Sequence, residues 1–393
     1  MSSDPVVIVA AKRTPVGAFQ GVLSGATAPE LGAAAIRAAI AETGIEASDI
    51  DQVLMGCVLP AGLGQAPARQ AALAAGIPAG TPCTTVNKMC GSGMMTIMLG
   101  HDLIRAGSAA VVVAGGLESM SNAPYLLPKA RGGYRMGHQQ VLDHMFFDGL
   151  QDPFEGEMMG HFAENTADKY AFSREAQDAF AIESATRAKR AVADGSFSAE
   201  IATVTVKSRK GEHAVEEDET PGTVSIEKIP SLRAAFRKDG TVTAASSSSI
   251  SDGASALLLM TAVEAKRRGL TPLATIIGHS SFAQEPAWFT TSPVFAVKML
   301  HEKLGWDTGN VDLYEVNEAF AVVTMAAMHD VGIDHAKINV NGGACALGHP
   351  IGASGARITT TLIHALRARN LQRGIASLCI GGGEAVAIGI EIN

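Results

Sequence analysis

Two cysteines, one histidine and a set of glycine-rich turns carry the chemistry available to this chain. Cys90 stands in Asn87-Lys88-Met89-Cys90-Gly91-Ser92-Gly93, ahead of Met94, Met95, Ile97 and Met98, whose apolar pattern predicts a buried helix. A thiol at a helix N-terminus feels the positive end of the dipole, which favours the thiolate nucleophile. The glycines permit a strained turn and close approach of a substrate. The same segment also fits a buried structural cysteine, the commonest fate of a free thiol. His349 lies in Asn339 to Arg357, where Gly342, Gly343, Gly348, Gly352 and Gly355 form an irregular loop before a helix and Pro350 fixes the neighbouring backbone. A rigid loop holding an imidazole suits acid–base work, and a packing histidine fits it equally. The loop has neither the Gly-Lys-Ser/Thr of a phosphate-binding loop nor the G-x-G-x-x-G of a dinucleotide site.

Cys379 opens Cys379-Ile380-Gly381-Gly382-Gly383-Glu384-Ala385, where a strand is expected to end at Ile380. Backbone N–H groups in such a run can face a developing oxyanion, although a plain tight turn reads the same. Asn317-Glu318-Ala319-Phe320-Ala321 is expected to start an apolar helix, with Asn317 available as its N-cap. Together these segments supply two thiols, an imidazole and N–H donors. That set fits acyl transfer through a thioester.

These residues must be positioned by a fold of sufficient size, and 393 residues with 47 % hydrophobic and 18 % charged side chains allow one. Val6 to Ala10, Val53 to Val58, Ala109 to Ala114 and Leu257 to Thr261 are short apolar runs expected as buried strands. A helix is predicted from the cap at Thr27, with Pro29 in the first turn and Glu30 completing a capping box, to a stop at Gly44. Strands alternating with helices indicate an α/β fold. Gly44 to Asp51 lines up with Gly305 to Asp312, and 107–116 with 374–383 in the same order, so two similar halves are expected. The expected division is 1–121 plus 251–271 for the first half, 122–250 for an insertion with a long helix from Ser173, and 272–393 for the second half.

Net charge is −8, against a nucleic-acid partner. Five cysteines, none in C-x-x-C, argue against a disulfide scaffold and against zinc as well. No run approaches about 18 apolar residues, and the N-terminal run is too short for a signal core, so a cytoplasmic protein without a membrane span is expected.

The four chemistry-bearing segments resemble the signatures of the thiolase family, in order and over essentially the whole chain, with the best likeness to its short-chain branch. The resemblance implies a five-layer α/β/α/β/α sandwich of two βαβαβαββ halves with a loop domain inserted in the first. It implies reversible condensation of two acetyl-CoA to acetoacetyl-CoA and CoA, with coenzyme A thioesters as substrates and no other cofactor or metal. Cys90 is then the acylated nucleophile, His349 its base, Cys379 the acid/base at carbon, and Asn317 the holder of a water in one oxyanion hole to which His349 contributes. The N–H groups of Cys90 and Gly381 form the second hole. Met158, Phe236, Ser248, Ala319 and Phe320 are implied as substrate-binding, with Met159 nearby and Arg233, Arg237 and Lys238 facing the anionic coenzyme. A homotetramer, paired through Tyr125 to Gly137, is also implied.

Some positions depart from the family pattern. Ser246 to Gly253 replaces Asn-Ala-Ser-Gly-x-Asn-Asp-Gly, Met158 stands where His is frequent, Phe289-Thr290 replaces Met-Gly, and Glu384-Ala385 follows the glycines. Trp288-Phe289 favours short acyl chains. The alternatives are a degradative 3-ketoacyl-CoA thiolase for longer chains, a non-catalytic acyl-CoA-binding relative, and a thiol hydrolase.

Overall fold

The computed structural model describes residues 4–208 and 211–392. Nine strands build the large sheet: β1 Val6–Arg13, β2 Gln52–Gly56, β3 Cys83–Val86, β4 Val111–Ser119, β5 Ser251–Thr261, β6 Ala274–Ala283, β7 Leu313–Val316, β8 Arg373–Ile380 and β9 Glu384–Glu391, with the short Gly17–Ala18 strand beside β5. Their order is β7-β8-β9-β6-β1-β5-β4-β2-β3. Numbered within each half, the first runs 3-2-4-5-1. The second repeats it, with its third strand reduced to one parallel bridge between Tyr314 and Ile338. β1 and β6 join the halves through Val7 opposite Thr275 and Ile8 opposite Ala274.

Several strands outrun the apolar runs that announce them, because polar residues inside them find buried partners. β1 extends past Ala10 since Arg13, fully buried, pairs with Glu200 at 2.5 Å and Asp218 at 2.7 Å. β5 begins six residues before Leu257, at Ser251, because Asp252 accepts from Ser119 Oγ at 3.2 Å and Ser121 N at 2.9 Å. β4 starts later than Ala109 and continues through Gly115, Gly116 and Glu118. β2 ends at Gly56, two residues short of Val58.

The helices are α1 Ala28–Thr43, α2 Pro67–Ala74, α3 Ser92–Arg105, α4 Met159–Tyr170, α5 Arg174–Ala193, α6 Ser292–Leu304, α7 Ala321–Ala327 and α8 Ser354–Ala368, leaving aside short turns. α1 forms as its sequence predicts: Thr27 and Glu30 make the reciprocal capping box, and Gly44 closes the helix at φ 67°. Gly305 closes α6 in the same way at φ 66°. Asp51 then accepts from Ala110 and Val111 N–H, and Asp312 from Gln372 and Arg373 N–H. The sequence repeat is therefore a repeat of one helix stop and one strand clamp.

Three apolar clusters fill the spaces between layers. One packs α1 and α2 on the first half, one surrounds the central α3 and α8, and one packs α4, α6 and α7 on the second half. The α/β/α/β/α sandwich follows from that alternation. Between β4 and β5 lies a long segment carrying α4, α5 and two small ribbons, Tyr125–Leu126 with Leu142–Asp143 and Val204–Ser208 with Gly211–Val215. Neither ribbon joins the large sheet. At the equivalent place between β8 and β9 stands only the turn of Gly381 to Gly383.

Candidate functional site

The central helices start beside one another, and that brings the reactive loops together. A Cβ on Gly355 would lie 2.4 Å from Met94 N, and one on Gly93 would lie 2.9 Å from Ala356 N, so only glycine lets these first turns touch. The turn before α3 carries Cys90, and the turn before α8 carries His349. Cys90 follows Met89, whose φ of 47° is left-handed and costs about 1–3 kcal/mol outside glycine. Ser92 holds that turn, donating from Oγ to Met89 O at 2.6 Å and accepting from Lys88 N at 2.8 Å.

A cleft of about 210 Å³ opens over these turns. Cys90, His349, Gly381, Met158, Met159, Phe236, Ser248, Ala319 and Phe320 all line it, so the expected cleft residues meet in one place. Phe146, Leu150, Ile250, Phe289 and Ile351 add apolar walls. Asn317 and Cys379 are fully buried just beneath. The Ser246–Ser249 run is built into the wall: Ala321 N donates to Ser246 O at 2.8 Å, and Ser248 N donates to Ala319 O at 2.9 Å. His349 N donates to Ser249 O at 3.1 Å and Ser251 Oγ at 3.3 Å, a place the altered Ser251 fills.

His349 has an assigned tautomer. Ser354 Oγ donates to Pro350 O at 2.9 Å, so it must accept from His349 Nδ1–H at 2.6 Å. Nε2 is left with a lone pair, buried and without a protein partner. Burial, aided by the Arg357 charge, pushes the imidazole pKa down to about 3. Arg357 lies behind the site, 3.6 Å from Glu315 and 3.5 Å from Asn317 Oδ1.

Cys90 departs from the expectation of a dipole-stabilised thiolate. α3 begins two residues later at Ser92, and desolvation of the thiol pushes its pKa up to about 11, although the N–H groups of Gly381 and Cys90 act to lower it. Cys379 is also pushed well above the ordinary thiol range by burial, and the adjacent Cys90 adds to the shift. The resting site therefore holds neutral thiols and a neutral imidazole.

Asn317 is not a helix cap. α7 starts at Ala321 with Phe320 at its N-cap, and the Asn317 amide instead approaches His349 Nδ1 at 3.4 Å. Of the expected basic cluster, Arg237 is tied to Asp168 at 2.7 Å and lies 3.6 Å from Glu164, while Arg233 and Lys238 are exposed. Glu384 pairs with Lys88, linking the turn after β8 to the turn before Cys90.

Four supporting residues escaped the motif reading: Ser354, Arg357, Glu118 and Glu318. Glu118 accepts from Val58, Leu59 and Gly352 N–H at 2.8–3.1 Å, tying the His349 loop to the first half, and burial raises its pKa to about 7. Glu318 accepts from Ser184 Oγ, Asn339 Nδ2 and Cys345 N. Glu318, Ser354 and Arg357 lie inside the singled-out segments, and Glu118 is a carboxylate closing an apolar run. Nothing local in the sequence marks their partners.

The thiolase N-terminal domain family matches residues 6–263, and the thiolase C-terminal domain family matches residues 270–392. An acetyl-CoA acetyltransferase of Pseudomonas aeruginosa is 51% identical over 386 residues, covering 98% of each chain. One of Cupriavidus necator is 47% identical, covering 98% of this chain and 99% of its own. The crystal structure of the Bacillus anthracis acetyl-CoA acetyltransferase superposes with a TM-score of 0.97 at 42% identity, over 99% of both chains. A thiolase from Ascaris suum in complex with coenzyme A superposes with 0.93 at 42% identity, over 99% of this chain and 100% of that one.

Proposed function

The chain belongs to the thiolase family, and from that premise we propose that it is an acetyl-CoA C-acetyltransferase, interconverting two acetyl-CoA with acetoacetyl-CoA and CoA. The observation that carries the mechanism is the unpartnered Nε2 of a neutral His349 in the cleft that exposes the Cys90 thiol. A protonated thiol needs an acceptor for its proton at the moment of attack, and Nε2 in the same cleft offers one.

Cys90 Sγ attacks the acetyl carbonyl while His349 Nε2 takes the thiol proton. The bond from acyl carbon to CoA sulfur breaks, and Cys379 gives its proton to the departing thiolate. Acetyl-Cys90, an imidazolium at His349 and a thiolate at Cys379 remain. The Cys379 thiolate then removes a methyl proton from a second acetyl-CoA. The enolate attacks acetyl-Cys90, the carbon–carbon bond forms, and the leaving Cys90 thiolate recovers the proton from His349. Run backwards, Cys379 protonates the carbanion released by thiolysis.

Two carbonyls develop charge, so two donor sets are needed. The acetyl oxygen on Cys90 is assigned to the N–H groups of Cys90 and Gly381. The enolate oxygen is assigned to His349 and a water held by Asn317. Met158, Phe236, Ser248, Ala319 and Phe320 flank the pantetheine arm and acyl group, with Arg233 and Lys238 as the exposed cations for the coenzyme. The 125–137 segment is proposed as an oligomer contact, supported by exposed Tyr125, Leu127, Tyr134 and Met136.

The bulky Phe289 side chain in the cleft supports short acyl groups. Thiolysis of acetoacetyl-CoA should exceed that of long-chain 3-ketoacyl-CoA in kcat/KM. Faster turnover of the long chains would replace this reading with that of a degradative thiolase.

A further inference from the structure

Among the described residues, one group of three ligating side chains lies outside the cleft chemistry: His101, Asp102 and His279. His101 and Asp102 sit near the C-terminal end of α3, roughly 15 Å along the helix axis from the Cys90 turn. His279 comes from β6 in the other half. One ligand atom from each lies within 4.8 Å of the other two. Asp102 Oδ1 is 2.9 Å from His101 Nδ1 and 3.1 Å from His279 Nε2, and the rings meet edge to face, 5.2 Å apart.

Two features distinguish this group from an ordinary surface ion pair. Consecutive residues of a helix project away from each other, yet His101 and Asp102 turn to a common point. Both imidazoles are largely buried, while the carboxylate faces solvent. Around a zinc-class ion with bonds of about 2.0–2.1 Å, tetrahedral ligand atoms stand about 3.3 Å apart. The observed separations from the carboxylate need to change by only a few tenths of an ångström to meet that.

We propose that His101 Nδ1, His279 Nε2 and the Asp102 carboxylate bind one divalent transition-metal ion of the zinc class, as a brace between the two halves. Two imidazoles select zinc, cobalt or nickel over calcium or magnesium, which take oxygen ligands. Each imidazole keeps one proton on its far nitrogen, so binding needs only a tautomer choice. The fourth position opens to a surface cleft rimmed by Arg105, Lys303 and Glu391, where water or a small anion completes the shell. Lys303 is itself engaged, donating to His279 O at 2.9 Å. The ion would fasten the far end of α3 to β6 and take no part in the acyl chemistry.

The test titrates chelator-stripped, full-length protein with Co²⁺ and Zn²⁺. The expected result is one saturable equivalent, a cobalt ligand-field spectrum without thiolate-to-metal charge transfer, and a raised Tm. Asp102→Asn and His279→Gln should each weaken binding at least ~10-fold, a loss that even supporting residues cause, while thiolysis in chelator stays at the wild-type rate. Absence of saturable binding, charge-transfer bands from the cleft thiols, or wild-type affinity in both variants would overturn the proposal. Should His279→Gln fail to fold, the solvent-facing Asp102→Asn decides alone.

Discussion

Ser354→Ala tests whether the base is set by its tautomer. Ser354 is fully buried, and its hydroxyl is the short partner of His349 Nδ1 at 2.6 Å. Its removal leaves Nδ1 facing the Asn317 amide nitrogen at 3.4 Å, which donates and so favours the proton on Nε2. That tautomer cannot accept the Cys90 proton. Loss of a buried hydrogen-bond partner costs about 1–3 kcal/mol. At ~1.36 kcal/mol per decade this lowers the competent tautomer by about 5- to 150-fold. The assay is single-turnover acetylation of Cys90 by rapid quench, with KM measured alongside. Ser354 does not line the cleft, so KM should hold while the acylation rate falls. An acylation rate within about twofold of wild type would refute the tautomer argument. A raised KM with an unchanged rate would assign Ser354 a packing role only.

Three further outcomes follow from the same geometry. Cys379→Ala should still form acetyl-Cys90, more slowly because the departing CoA thiolate must then take its proton from solvent, but lose carbon–carbon bond exchange; full thiolysis in that variant would remove Cys379 from the mechanism. His349 has a folded pKa of about 3 against ~6.5 unfolded, so the folded state binds fewer protons and stability falls as pH drops from about 6.5 towards 3. The stability difference between wild type and His349→Asn, followed by denaturant unfolding from pH 7 to 5, should therefore shift by up to ~1.36 kcal/mol per pH unit against wild type; parallel curves would show an exposed imidazole. Glu384→Ala removes only a partly exposed ion pair with Lys88, so global stability should change by less than ~1 kcal/mol; a larger loss would mean that the pair holds the two turns.

What the sequence makes legible depends on how locally each feature is encoded. Thr27, Pro29, Glu30 and Gly44 announce α1 because caps act within one turn. The repeat is legible because Gly44 and Gly305, and Asp51 and Asp312, do the same local work. Arg13 and Asp252 hide the true lengths of β1 and β5, since their charges are answered by Glu200, Asp218 and Ser119, far away in the chain. Cys90, His349 and Gly381 stand out through their glycine surroundings and do line one cleft. The resting protonation of Cys90 is not legible, because desolvation by the assembled cleft outweighs the local dipole. The proton on His349 depends on Ser354 and Pro350, and the meeting of His279 with His101 depends wholly on the two halves packing together.

The central claim is that acyl transfer runs through Cys90. Mass spectrometry of digested protein after brief exposure to acetyl-CoA tests it most directly. One acetyl group on the peptide containing Cys90 is the predicted result. An acetyl group on Cys57, Cys83 or Cys345, or none on any thiol during turnover, would contradict it.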